Sequence, residues 1–198
     1  MSSTRPGDLR LRAATQVDET AIVRLCKVSL TTTYGAFMEP ERMRPWTEGT
    51  EVENYVARMW PRTTVAVLDR EVVGVVALDE AVIDLLWVAD ALRGRGIGRR
   101  LMGHAEATLT ADHAEAELEC SAPNRAGLAF YKSGGYSEVC RYYEAASGVD
   151  KVVLRKALQH PTVQATGAKS LVARSRAFAA TASRSRGADD VTSESSSR

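Results

Sequence analysis

Arg93-Gly94-Arg95-Gly96-Ile97-Gly98 combines cationic side chains with glycines at alternate positions. An apolar run, Val82 to Val88, precedes it, and a helix-like stretch from Arg99 to Thr110 follows. Strand, glycine-rich turn and helix N-terminus in that order make an anion-binding device. The first helical turn leaves backbone N–H groups without internal partners, and the macrodipole adds partial positive charge there. Glycine lets the backbone approach a phosphate with no Cβ in between. Arg93, Arg95, Arg99 and Arg100 add charge around the turn. The run reads as a diphosphate-binding loop from Gly94 to Arg99. It is not a Walker loop, which needs a Lys before Ser or Thr. A dinucleotide fingerprint needs Gly-x-Gly-x-x-Gly early in a βαβ unit, with an acidic residue about 20 positions on. Glu115, Glu117 and Glu119 satisfy that spacing, but the loop comes mid-chain, the preceding strands look hairpin-linked, and no second glycine turn of this kind occurs.

With these flanks, Arg-x-x-Gly-x-Gly resembles the GCN5-related N-acetyltransferase (GNAT) superfamily, on Arg93, Gly96 and Gly98. Leu85-Leu86-Trp87-Val88 resembles the family strand that runs beside the pantetheine arm. Asp90 stands where the family often has Pro. A second block supports the resemblance: Asn124, then Ala129-Phe130-Tyr131 and a Gly-aromatic turn ending at Tyr136. The resemblance covers residues 9–158. It implies an acetyl-coenzyme A-dependent N-acetyltransferase moving acetyl directly to a primary amine of a small molecule or to a peptide or protein amino group. The implied coenzyme-binding residues are Leu86, Trp87, Val88, Arg93, Gly94, Arg95, Gly96, Ile97, Gly98, Arg99, Asn124 and Tyr131, with no metal. A homodimer is the candidate assembly. The alternative is a catalytically silent acyl-coenzyme A-binding regulatory module.

Acetyl transfer from a thioester needs a neutral amine, a stabilised oxyanion and a proton for the departing thiolate. By spacing alone Tyr131 is a core aromatic beside Phe130. By resemblance it is the general acid near the sulfur, with an ordinary pKa of about 10, close to that of a thiol. Asn124 reads both as a helix cap and as a pantetheine ligand, and the Val88 N–H as a donor to the thioester oxygen. Asp84 is the candidate general base, with Glu80, Glu39, Glu41 and Glu119 as alternatives. Cys120 reads as a buried strand residue, and His104 and His113 as exposed residues on or after a helix. The acceptor site is expected between Thr31 and Trp60, where Tyr34, Phe37, Met38, Trp46, Tyr55 and Trp60 cluster.

The elements that must position these groups follow from periodicity. Leu9–Ala13 reads as a strand, and the next helix should bury Ala21, Ile22, Leu25 and Val28. Residues 31–49 read as loop or short helix, and Glu51–Trp60 as a helix ended by Pro61. Thr63–Leu68 and Glu71–Leu78 read as a hairpin, with Gly74 marking a bulge or close approach. Val82–Val88, the helix Gly98–Thr110, the strand Ala116–Cys120 and the helix Asn124–Ser133 follow. A final hairpin, Tyr136–Glu144 with Lys151–Leu158, completes the pattern. The fold class is α+β (mixed α/β): a GNAT-like, mostly antiparallel sheet of six to seven strands flanked by about four helices.

The 198 residues carry a formal net charge of +1 and three cysteines without metal-ligand spacing. Near-neutral charge argues against nucleic acid as the partner. No apolar run reaches the ~18 residues needed to span a bilayer, and the N-terminus lacks a secretory apolar stretch, so a cytoplasmic, non-membrane protein is expected. The expected organisation is a flexible 1–8, a domain over 9–158 and a Ser/Ala/Arg-rich disordered tail over 159–198. A basic helix within residues 168–180 is a minor option for binding nucleic acid.

Overall fold

The computed structural model describes residues 8–159. The expected flexible residues 1–7 and the tail from 160 onward lie outside the described residues. The elements are β1 (Arg10–Ala13), α1 (Glu19–Tyr34), α2 (Pro40–Thr47), α3 (Glu51–Met59), β2 (Thr63–Leu68), β3 (Glu71–Asp79), β4 (Val82–Val88), α4 (Ile97–Leu109), β5 (Glu115–Ser121), α5 (Arg125–Ser133), β6 (Ser137–Glu144) and β7 (Val149–Ala157). One seven-stranded sheet has the order β1-β2-β3-β4-β5-β7-β6. Every neighbouring pair is antiparallel except β4 and β5, which run parallel and pair only at Val82 and Glu117. Beyond that position the two strands part. The final hairpin turns back so that β7, not β6, lies beside β5.

Local chemistry explains the turns that hold this order. The β2–β3 turn uses two residues, Asp69 (φ 50°) and Arg70 (φ 70°), both left-handed, as a type I′ hairpin requires. Register shifts leave one extra residue in β3, Val73, and one in β4, Asp84. Such bulges re-aim side chains and bend the strand. A Cβ on Gly74 would meet Leu101 Cδ1 at 2.9 Å, so α4 packs directly on β3 there. The glycine therefore marks a close approach beside a bulge.

Two cores sandwich the sheet. On one face α4 contributes Ile97, Leu101, Met102, Ala105 and Leu109, packed with Val76, Ile83, Leu118, Val152 and Leu154. On the other, Ile22, Leu25, Cys26 and Leu30 of α1 and Val52, Tyr55, Val56 and Met59 of α3 pack on Val65, Val75, Ala77 and Leu85. Leu101 and Leu118 are almost fully buried, and each such side chain contributes about 1.5–3 kcal/mol relative to an exposed one. Two core expectations are corrected: Ala21 is only half-buried, and Val28 is 52% exposed. At roughly 100° per residue it lies well away from the stripe formed by Ile22, Leu25, Cys26, Ser29 and Leu30. Within residues 31–49, α1 runs on to Tyr34 and α2 follows, starting at Pro40, where a missing N–H is harmless.

Candidate active site

Where β4 and β5 part, a cleft of about 430 Å³ opens. Leu86, Trp87 and Val88 of β4 form one wall. Arg93, Gly94, Gly96, Ile97, Gly98 and Arg99 form one end, Asn124, Phe130 and Tyr131 line it from α5, and Thr33 of α1 completes it. The structure thus gathers eleven of the thirteen residues singled out from the sequence. Arg95 and Asp84 are not among the lining residues.

The turn before α4 is shaped by its glycines. Gly94 (φ 75°) and Gly96 (φ 82°) adopt the left-handed conformation, and a Cβ on either would meet nothing within 4 Å. Their backbone therefore faces open space. Gly98 differs: its Cβ would stand 3.3 Å from the Phe130 ring, so α4 and α5 close on each other there. No side chain caps the N-terminus of α4. Its first-turn N–H groups have no partner within the helix, and this is the turn where the sequence leads one to expect an anion. Arg93 acts as a brace. Its guanidinium lies 2.6 Å from the Asp90 carboxylate and donates to the Thr33 hydroxyl at 3.1 Å. Asp90 is thus the partner of Arg93. Arg100 donates to the Leu9 carbonyl.

Asn124 caps α5: its side-chain oxygen accepts from the Gly127 N–H at 3.0 Å. Its amide sits so close that a Cβ on Gly127 would lie 2.6 Å from it. Tyr131 packs edge-on against Phe130 and Tyr136. Burial pushes the Tyr131 phenol well above its ordinary range, with Cys120 and Tyr34 adding to the shift. The Cys120 thiol is pushed up to about 11 by burial, and Cys26 to about 12 for the same reason, so neither is poised as a thiolate. The Trp87 ring meets Tyr34 edge-on at 5.7 Å, and Tyr34 meets Phe37 at 5.4 Å. The Trp87 indole N–H is buried without a hydrogen-bond partner among the described residues.

The carboxylates divide sharply. Asp84, the bulged residue, accepts from the Tyr55 hydroxyl at 2.5 Å. Tyr55 is 3% exposed and belongs to the α1–α3 core. Burial raises its phenol well above the ordinary value, and the Asp84 charge adds to that. Glu119 accepts from the Tyr142 hydroxyl at both oxygens, 3.0 and 2.9 Å. Burial raises its carboxyl above the usual range, and the Tyr142 hydrogen bond opposes that rise. Glu39, Glu41 and Glu80 are exposed and outside the cleft. His104 is exposed on α4, and His113 is half-buried after it. Among the described residues, no group of three or more His, Cys, Asp or Glu is placed to hold a metal ion, and no helix is long and apolar enough to cross a membrane. Sequence reasoning missed Tyr142 and the pairing of Tyr55 with Asp84. Both bonds join residues far apart in the chain, 23 and 29 positions, and neither carries a local signal.

Comparison with known proteins agrees with this geometry. The sequence profile of the Acetyltransferase (GNAT) family matches residues 30–136. The fold is shared with apo YjaB from Escherichia coli, at 23% identity and TM-score 0.60, covering 77% of this chain and 99% of that one. It is also shared with the PaiA N-acetyltransferase of Thermoplasma acidophilum in complex with coenzyme A, at 15% identity and TM-score 0.64, covering 76% and 99%. A third structure is yncA, a putative acetyltransferase from Salmonella typhimurium with its cofactor acetyl-CoA, at 13% identity and TM-score 0.62, covering 81% and 99%.

Proposed function

The chain belongs to the GNAT acetyltransferase family, and on that premise we propose that it binds acetyl-coenzyme A in the β4–β5 cleft and passes the acetyl group directly to a primary amine. The observation that carries this reading is the cleft itself. A left-handed glycine turn and an uncapped helix N-terminus lie at one end, and the Tyr131 side chain lines the same space. Coenzyme complexes of PaiA and yncA, which share the fold, support it.

The residues fit the donor substrate. Backbone N–H groups at the start of α4 take the diphosphate, and Gly94 and Gly96 allow close approach. The parted edge of β4 at Leu86–Val88 offers backbone groups to the pantetheine amides, and Asn124 lies across from it. A Val88 N–H aimed at the thioester oxygen stabilises charge as the amine adds. Tyr131 holds its proton because burial disfavours the phenolate, and it surrenders that proton when a thiolate forms beside it. Trp87, Tyr34 and Phe37 form an aromatic wall for the acceptor.

The test is release of free thiol from acetyl-coenzyme A in the presence of amines, with mass spectrometry of the amine. The reading expects amine-dependent release and a product heavier by one acetyl group. Binding of acetyl-coenzyme A with no release by any amine class would instead support the silent regulatory module.

A further inference from the structure

Resting on the acetyl-coenzyme A reading above, we propose that Arg42 straps the α1–α2 segment across the mouth of the seam, and so selects a free small amine over an amino group carried by a polypeptide. The crossing is held at both lips of the gap. β4 and β5 run parallel and part after Val82 and Glu117, so the gap is widest at their C-terminal ends. On the β4 lip, Trp87 lines the cleft and meets the Tyr34 ring edge-on at 5.7 Å. On the β5 lip, Ser121 pairs with Lys151 of β7, and the Ala122 N–H donates to the Asp150 carbonyl. The Lys151 ammonium lies 6.0 Å from the centre of the same Tyr34 ring. The end of α1 therefore touches groups on both sides of the gap.

The chain then carries the crossing into α2. The Phe37 and Met38 N–H groups donate to the Tyr34 carbonyl, which turns the backbone tightly. Met43 is buried and anchors α2 inward. Its neighbour Arg42 donates from Nη1 to the Ala145 and Ala146 carbonyls in the β6–β7 turn, just ahead of β7. Gly148 completes the seat. It has φ 72°, and a Cβ there would lie 2.9 Å from Cζ and Nε of Arg42. The turn thus receives a guanidinium where a larger residue would expel it. The planar, donor-rich guanidinium holds a fixed geometry that a lysine ammonium on its flexible stem does not.

A crossing fastened at both lips makes the acceptor entrance a ring rather than an open groove. Extended polypeptides bind sheet edges by lying along them as an added strand, and here the crossing stands over the widest part of the gap. A lysine in a folded protein reaches only about 6 Å from its Cα over five single bonds. A helix with its side chains is about 10–12 Å thick. The N-terminus of a chain must thread the ring, and each residue that follows is then fixed in extended form at a cost in backbone entropy. A free amine has no chain to place. It enters end-on past Tyr34 and Phe37, whose rings meet at 5.4 Å.

The experiment uses the full chain with acetyl-coenzyme A. The free amines are phenethylamine, tryptamine and cadaverine. Against them stand two short peptides, one lysine-free with an open N-terminus, the other N-terminally blocked with one internal lysine. The best free amine should exceed the better peptide in kcat/KM by about tenfold or more. Arg42→Ala should raise kcat/KM on that peptide by about tenfold, chiefly through KM. Turnover of the free amine, acetyl-coenzyme A affinity and the thermal melt should change little, since Arg42 is exposed. Arg42→Lys should recover only part of the discrimination. Amide exchange in α2 and the β6–β7 turn should quicken in Arg42→Ala, and unchanged exchange would show that the bonds fasten nothing. A peptide used as well as the free amines, or a free-amine to peptide ratio unmoved by Arg42→Ala, would overturn the proposal. Release with peptides alone would sink it and leave the acetyltransferase reading standing. No release with any amine, or no binding of acetyl-coenzyme A, would sink both.

Discussion

Tyr131 is where packing and chemistry make opposite demands. Its ring packs against Phe130 and Tyr136, and its burial keeps the phenol protonated. Tyr131→Phe keeps the ring and removes only the proton donor. If Tyr131 is the acid, kcat falls by about 100-fold or more. Affinity for acetyl-coenzyme A changes by less than about tenfold, since at most one neutral hydrogen bond is lost. A purely packing role predicts full activity in Tyr131→Phe and loss only in Tyr131→Ala. Steady-state kinetics of the two variants separates these cases, and a Phe variant with wild-type kcat would remove Tyr131 from the mechanism. Asp84 shows how far residue-level reading of the sequence reaches. Its place on the central strand was legible, but its partner was not. A strand bulge aims it at a tyrosine from a helix 29 residues earlier, and no local pattern encodes that meeting.

At the scale of elements, α1 begins on a charged knot that controls its response to pH. The Asp18 carboxylate accepts from both Arg12 terminal nitrogens, at 2.7 and 2.8 Å, and from the Thr15 N–H and hydroxyl. The Arg12 bonds hold its carboxyl well below the usual range, against the opposing effect of burial. A pKa lower in the folded state stabilises the fold above the unfolded value of about 3.9 and loses that contribution as pH falls through the folded value. Asp18→Asn should therefore be clearly less stable than wild type at neutral pH, with the gap narrowing as acid is added. Urea melts of both proteins from neutral pH down to about pH 3 test this, and a gap that stays constant contradicts it. The elements themselves were largely legible because their signals are local: glycine turns, helical stripes and alternating strands. Val28, expected in the core, stands three positions after Leu25, but the buried stripe runs through Cys26 and Ser29 instead. The splay between β4 and β5, and the place of β7 between β5 and β6, were not legible in the residues themselves. Both depend on which distant strands pair.

Across the whole molecule, two cores clamp a sheet that is continuous except at one seam, and the cleft lies at that seam. Leu158 is buried in the α4-side core and its N–H donates to the Ala114 carbonyl, so the described fold is tied down at its last strand. Truncation after Gln159 should then leave the melting temperature within about 5 °C of the full chain, with acetyl transfer intact. A larger fall would mean that residues beyond 159 pack on the domain. All of the chemistry argued above requires the coenzyme to occupy the seam. Calorimetric titration of acetyl-coenzyme A into the wild type, Gly96→Val and Gly98→Val tests this most directly. A side chain at Gly96 is strained at φ 82°, and one at Gly98 presses into Phe130. The account predicts saturable binding by the wild type and loss of binding in both variants, each still melting cooperatively. Equal affinity in all three proteins, or no binding by the wild type, would contradict it.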